Sequence, residues 1–381
     1  MSEYQYYEFQ AIDRRLTPAE MAILRSFSTR ARITPTSFVN DYEWGSFKGD
    51  EDAWMEKYFD AFLYFANWGT HTLELAVPSR LLDQKTARRY CCGESASVRE
   101  RNGKMIVTFN AEDDEPLDEW DDQTDALSAL IPIRTQLARG DLRSLYIGWL
   151  RCVQAGELDD GDAEPPVPPG LGELDGSLER LVDFLRVDSD LLETAAAASG
   201  GMSVQPVTHH AIRQWVRERS AAEKNDYLER FIAAEETALA VELQRLIVSP
   251  SMPVSHSAAR NVGSLRSAAE AAADQRRRAA AARAEQERTR RQEAAARARS
   301  KYLRDLAQRE PAVWRQIETL ISATQPASYD RAVELLVDLG DVAAAHKREA
   351  DFRQRLETLC IEHRRKPSFL SKLRRAGLSV P

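Results

Sequence analysis

Two segments of this 381-residue chain carry residues whose types and spacing could do chemistry. The first is Trp44-Gly45-Ser46-Phe47-Lys48-Gly49, beside Asn40, Asp41 and Glu43. Glycines let a backbone approach a partner closely and loop aromatics supply contact area, so Trp44, Phe47 and Lys48 form a candidate partner-binding loop. The same composition suits a tight loop whose Trp44 and Phe47 plug a core. The second segment is Arg266 to Lys301, 36 residues with 11 bases, five acids and no apolar side chain larger than alanine. Arg276, Arg277, Arg278, Arg283, Arg288, Arg290, Arg291, Arg297, Arg299 and Lys301 are its candidate nucleic-acid contacts. Such contacts would be made to phosphate and would weaken steeply with salt. Against this, the acids interleave with the arginines and no aromatic ring is present to stack on a base. A charge-paired, solvated helical spacer is the other reading. Asp274–Arg278, Glu287–Arg291 and Glu293–Arg297 stand in the favourable i,i+4 order, each worth about 0.3–0.5 kcal/mol. High alanine content allows a helix without a core to pack on, and the empty a and d positions exclude a coiled coil.

The remaining reactive side chains form no catalytic constellation. His71, His209, His210, His256, His346 and His363 lie in no zinc-ligand spacing, and the cysteines Cys91, Cys92, Cys152 and Cys360 show no framework. The nearest thing to an enzyme site is the set Asp41, Glu43, Trp44 and Cys91, in which no acid–base or nucleophile–base pair is recognisable. Glu112 to Asp125 packs nine acids into 14 residues but lacks the alternating order of a calcium loop and reads as an exposed linker. No nucleotide-binding glycine motif or nucleophile elbow occurs. No catalytic, metal or cofactor-binding residue is therefore assigned, and no cofactor is expected.

The elements around these segments divide the chain. Residues 1–111 read as an α+β module, a small mixed sheet with flanking helices on one side. Its strands are Tyr4–Ile12, Ile33–Val39, Thr70–Val77 and a hairpin from Ser97 to Asn110 turning at Asn102-Gly103. Thr17-Pro18-Ala19-Glu20 opens a helix with a capping box. Trp54, Tyr58, Ala61, Phe62 and Phe65 fall at helical spacing and predict a long helix from Asp50 to Asn67. After the 112–125 linker, residues 126–248 read as helical: Leu127–Ala138, Leu142–Gln154, Asp175–Leu185, Asp188–Ala198, Thr208–Arg219 and Ala221–Val248. The proline-rich stretch 157–172 is expected to be a stiff extended connector. Residues 249–309 make the long charged helix, and 310–381 a helical-repeat-like tail.

The tail's apolar positions, in YDRAVELLVDLGDV, ADFRQRLETL, EHRRKPSFLSKL and RRAGL between Glu310 and Leu378, resemble the C-terminal tail of bacterial SWIM zinc-finger proteins. The likeness covers about 70 residues and consists of helix-packing positions. The metal-binding CxC…CxH motif of that family is absent, so no zinc site carries over. What the resemblance implies is a helical interaction tail and a bacterial source.

Composition sets the outer bounds. Hydrophobic residues make up 43% and charged residues 29%, values of globular material. The net charge of −8 conceals a gradient: residues 1–200 hold 20 Lys and Arg against 37 Asp and Glu, and the rest of the chain is net basic. The acidic, aromatic start has no leader-like pattern, no apolar run is long enough to span a membrane, and cysteine usage suits a reducing compartment, so a cytoplasmic location is expected. The function these features point to is a protein-interaction scaffold or adaptor, with other proteins as partners. The alternative is a nucleic-acid-associated accessory protein using the arginine helix and the basic tail residues Arg364, Arg365, Lys366, Lys372, Arg374 and Arg375.

Overall fold

The computed structural model describes residues 4–43, 45, 47–112, 126–201, 208–232, 236–247 and 260–378. The chain divides into two compact units, Met1–Gln275 and Arg276–Pro381. The first begins with β1 (Gln5–Gln10), α1 (Pro18–Phe27), β2 (Arg32–Thr34), β3 (Ser37–Tyr42), α2 (Glu51–Lys57), β4 (Ala61–Ala66), β5 (His71–Pro78), α3 (Gln84–Ala87), β6 (Ala96–Arg101) and β7 (Lys104–Ala111). The strands form one sheet in the order β2-β3-β1-β4-β5-β7-β6. Every pairing is antiparallel, so the expected α+β module is present with an antiparallel sheet in place of a mixed one.

Local chemistry accounts for the elements. Thr17 caps α1 as expected: its Oγ1 accepts from the Glu20 N–H at 3.2 Å, and the Glu20 carboxylate accepts from the Thr17 N–H at 2.8 Å. Asn102 and Gly103 both take positive φ, 50° and 75°, the conformation of a type I′ hairpin turn. Two expected elements differ. Ile33–Val39 is not one strand, because a turn at Pro35-Thr36 divides it into β2 and β3. The helix expected over Asp50–Asn67 stops at Lys57, and Ala61–Ala66 is instead the central strand β4, hydrogen-bonded to β1 and β5. Its alternate residues enter two different cores, Phe62 one and Leu63 and Phe65 the other. A strand buried on both faces has no polar side to betray its period.

Helices lie on both faces of this sheet rather than one. On one face Leu24 of α1 and Trp54 and Met55 of α2 cover Phe9, Phe38, Phe62, Ala76 and Ile106. The other face is covered by α4 (Ala126–Leu130), α5 (Pro132–Ala138), α6 (Arg143–Gln154), α7 (Gly176–Leu185) and α8 (Ser189–Ala196). Leu127, Ile133, Leu145, Trp149, Phe184 and Leu191 share one core with Leu63, Leu75, Val107 and Phe109 of the strands. The sheet and these helices are therefore one folded body, not two modules separated at 112–125. Residues 113–125, which hold most of the expected acidic linker, lie outside the described residues. The proline-rich stretch 157–172 lacks regular structure, as its prolines dictate. It is not a solvated connector, however: Val167 and Leu171 are buried in the same core, and Pro166 accepts a hydrogen bond from the Tyr90 hydroxyl at 2.8 Å. The unit continues with α9 (His209–Glu218), α10 (Ala221–Ile232) and α11 (Glu236–Ile247), and Val262, Leu265 and Ala269 from the start of α12 (Val262–Gln308) reach its core.

The second unit holds the end of α12 followed by α13 (Glu310–Ser322), α14 (Pro326–Ala345), α15 (Glu349–Glu362) and α16 (Pro367–Arg375). Trp314, Ile317, Ile321, Leu336, Leu339, Leu356, Phe369 and Leu373 form its separate core, joined by Leu306 of α12. The expected long charged helix and C-terminal helices are thus both present. Among the described residues, no helix is long and apolar enough to cross a membrane.

Candidate functional site

The loop after β3 resolves toward packing. The Phe47 ring stacks on Tyr7 at 4.8 Å and meets Trp54 edge-on at 4.9 Å, which makes it a plug over the aromatic core. Lys48 is exposed, and Trp44 lies outside the described residues. Beside this plug the sheet carries a polar row, closed by its own hydrogen bonds. Gln5 Oε1 accepts from the Tyr7 hydroxyl at 2.8 Å, and Gln5 Nε2 donates to the Gly45 carbonyl at 3.1 Å. Buried Glu74 takes two hydrogen bonds of 2.8 Å from Arg99 and one of 3.0 Å from Thr108. Burial, together with the charges of Glu74, Asp52 and Asp50, pushes the neighbouring Glu51 carboxyl up to about 7.

Buried Cys91 and His71 are held within the core. Cys91 sits in the core, where burial raises its thiol to about 12 and keeps it protonated, while Asp41 and Glu43 are exposed. The ring nitrogens of buried His71 lie 3.0 Å from the Gly69 carbonyl and 2.6 Å from that of Phe184. Among the described residues no group of three His, Cys, Asp or Glu side chains could hold a metal ion.

The arginine stretch is helical throughout and exposed from Asp274 to Lys301. This includes Arg276, Arg277, Arg278, Arg283, Arg288, Arg290, Arg291 and Arg297. The anticipated pairs Glu287 with Arg291 and Glu293 with Arg297 form, the second at 3.8 Å. Arg299 bonds Asp338 at 2.6 Å and Asp341 at 2.7 Å on α14, so it anchors the end of α12 within the second unit.

Among the described residues the tail carries a groove of about 640 Å³ between α15 and α16. Glu357, Cys360 and Ile361 line it from α15 at the i, i+3, i+4 spacing of one helix face, with Arg364 in the turn that follows, opposite Leu370, Leu373, Arg374 and Leu378. The local sequence builds it in two steps. Leu356 and Leu359 turn into the core and leave Ile361 outside their stripe, 69% exposed. Gly377, at φ 76°, then ends α16 and lets the Leu378 N–H bond the Leu373 carbonyl at 3.1 Å, which folds Leu378 back over the groove. The six basic tail residues divide. Lys366 Nζ donates to the Ile321 carbonyl at 2.6 Å, and Lys372 Nζ to the Pro326 carbonyl at 3.0 Å and to Asp330. Arg364, Arg365, Arg374 and Arg375 are exposed, and among the described residues their side chains have no hydrogen-bond or ion-pair partner. Sequence reasoning missed this groove. The available signal was Cys360-Ile361, two apolar residues beside the core stripe and followed closely by paired arginines.

Comparison of the chain with known protein families, curated proteins and solved structures finds no match.

Proposed function

We propose that this chain is a cytoplasmic adaptor that binds another protein through the groove of α15 and α16. The observation that carries the reading is an apolar trough with Ile361 exposed at its wall and arginines on its rim. Exposed apolar surface bordered by polar residues is the usual mark of an interaction site. The likeness of the tail to that of SWIM zinc-finger proteins points the same way, since its matched positions are helix-packing positions.

The test is recovery of partners by the tagged full chain from its native lysate, with and without nuclease, beside the variant Ile361→Asp. The adaptor reading expects protein partners that survive nuclease and are lost with the variant. The exposed arginines of α12 favour a second reading, attachment to nucleic acid. That reading expects recovery that falls with nuclease or added salt and ignores Ile361.

A further inference from the structure

Resting on the adaptor reading, we infer that the groove between α15 and α16 receives an acidic amphipathic helix of another protein. The shape of the trough comes first. Cys360, Ile361, Leu370, Leu373 and Leu378 give it an apolar lining between two neighbouring helices. A third helix fits such a trough by placing apolar anchors at i, i+3, i+4 and i+7 along it.

Charge then selects the kind of helix. Arg364 and Arg374 line the trough against one acid, Glu357, and Arg365 and Arg375 stand next to them in sequence. Lys366 and Lys372 of the same tail are already held by Ile321, Pro326 and Asp330, whereas these four arginines are not neutralised within the described residues. A helix with glutamates or aspartates flanking its apolar face would supply the missing charges, and arginine pairs with carboxylates in two-point geometry.

The same features weigh against other occupants. A second copy of this tail would bring Arg364 and Arg374 against their own counterparts, a like-charge arrangement that opposes binding. Nucleic-acid bases would find no aromatic ring in the lining. A membrane surface is met by several protruding apolar side chains, and here Ile361 is strongly exposed whereas Leu370 and Leu373 line a depression.

The experiment uses the full chain and a labelled synthetic helix of about five turns, with leucines at i, i+3, i+4, i+7 spacing and glutamates elsewhere, followed by fluorescence anisotropy. Two control peptides carry lysine for glutamate or serine for leucine. Saturable binding of the acidic peptide alone is expected, weakening about tenfold or more with Ile361→Asp and with the double variant Arg364→Glu/Arg374→Glu. The altered positions are exposed, and an unchanged helical circular dichroism melt shows that the variants remain folded. Ile361→Ser replaces Ile361→Asp if the latter unfolds. Binding of the lysine peptide with equal strength, an affinity indifferent to all variants, or stronger retention of the chain by anionic vesicles or duplex DNA through the same arginines would overturn the inference. If the acidic peptide fails while lysate partners still depend on Ile361, the adaptor reading stands and the acidic helix falls. If neither depends on Ile361, both fall.

Discussion

Glu164 and Arg260 meet in a two-point ion pair, with Arg260 Nε and Nη2 each 2.7 Å from a carboxylate oxygen of Glu164. The Tyr146 hydroxyl donates to the same carboxylate, and Arg260 Nη1 reaches the Thr194 carbonyl at 3.1 Å. The backbones join as well, the Glu164 N–H bonding the Arg260 carbonyl at 2.9 Å. One buried carboxylate thus fastens the proline-rich strap to α6, to the end of α8 and to the entry of α12. Prolines remove backbone donors from this strap, so side chains must hold what a ladder would otherwise hold.

Removing the charge should therefore loosen the strap. Glu164→Gln keeps the shape but leaves Arg260 without its counter-ion. Breaking a buried pair in this way costs about 3 kcal/mol. The measurement is urea denaturation of the full chain with proteolysis of residues 157–172 followed in parallel. An unchanged midpoint and unchanged cleavage would mean that apolar packing of Val167 and Leu171 suffices.

A second carboxylate gives a pH signature. Asp60 accepts the N–H groups of Ile12 and Asp13 at 2.7 and 2.9 Å and the Lys104 ammonium at 2.9 Å. Burial alone would push its carboxyl up. The charges of Lys104 and Arg134 and these hydrogen bonds outweigh burial and hold it below its ordinary 3.8. A lowered folded-state value gives stability that is present above the unfolded value and lost as pH falls through the folded one. Asp60→Asn should destabilise by about 3 kcal/mol at neutral pH, with the gap closing below about pH 4. Urea midpoints at neutral and acid pH decide it: a gap of constant size would show that shape, not charge, matters at this position.

How far the sequence discloses these arrangements depends on whether a signal is local. The Thr17–Glu20 cap, the Asn102-Gly103 turn and the exposed arginine helix are readable because each is fixed by residues a few positions apart. β4 is not. Trp54, Tyr58, Ala61, Phe62 and Phe65 satisfy a helical period by coincidence, and a strand flanked by two cores offers no alternation to contradict it. The strap at 157–172 misleads for a related reason, since composition gives its lack of regular structure but not the core beneath it. The groove of the tail depends on two helices meeting, so only the odd placement of Ile361 hints at it.

Glu51 should behave in the opposite sense to Asp60. Its carboxyl rises from an ordinary 4.5 to about 7 through burial and the neighbouring acids. A raised folded-state value means stability that is complete below the unfolded value and lost as pH rises through the folded one. Glu51→Gln should match the parent chain below pH 4.5 and melt about 2 °C higher above pH 7, the carboxylate being partly solvated. Thermal melts at acid and alkaline pH test this, and identical curves at alkaline pH would place Glu51 in free contact with water.

Two helical glycines should respond to alanine with opposite signs. A Cβ at Gly148 of α6 would stand 2.7 Å from Phe109 Cε1 and 3.0 Å from Ala96 Cβ, because the helix lies directly on β6 and β7 there. At Gly340 of α14 the nearest atom, Phe352 Cε1, is 3.5 Å away, an ordinary contact. Alanine in a helix interior is worth about 0.8–1 kcal/mol over glycine, and that gain should appear in full for Gly340→Ala. For Gly148→Ala, overpacking costs about 1–3 kcal/mol and outweighs it, since the Phe109 ring is buried and has nowhere to turn. Denaturant midpoints of the two single variants provide the comparison. A stabilised Gly148→Ala would mean that α6 can lift from the sheet without loss, and the shared core of strands and helices would then be looser than the packing around Phe109 implies.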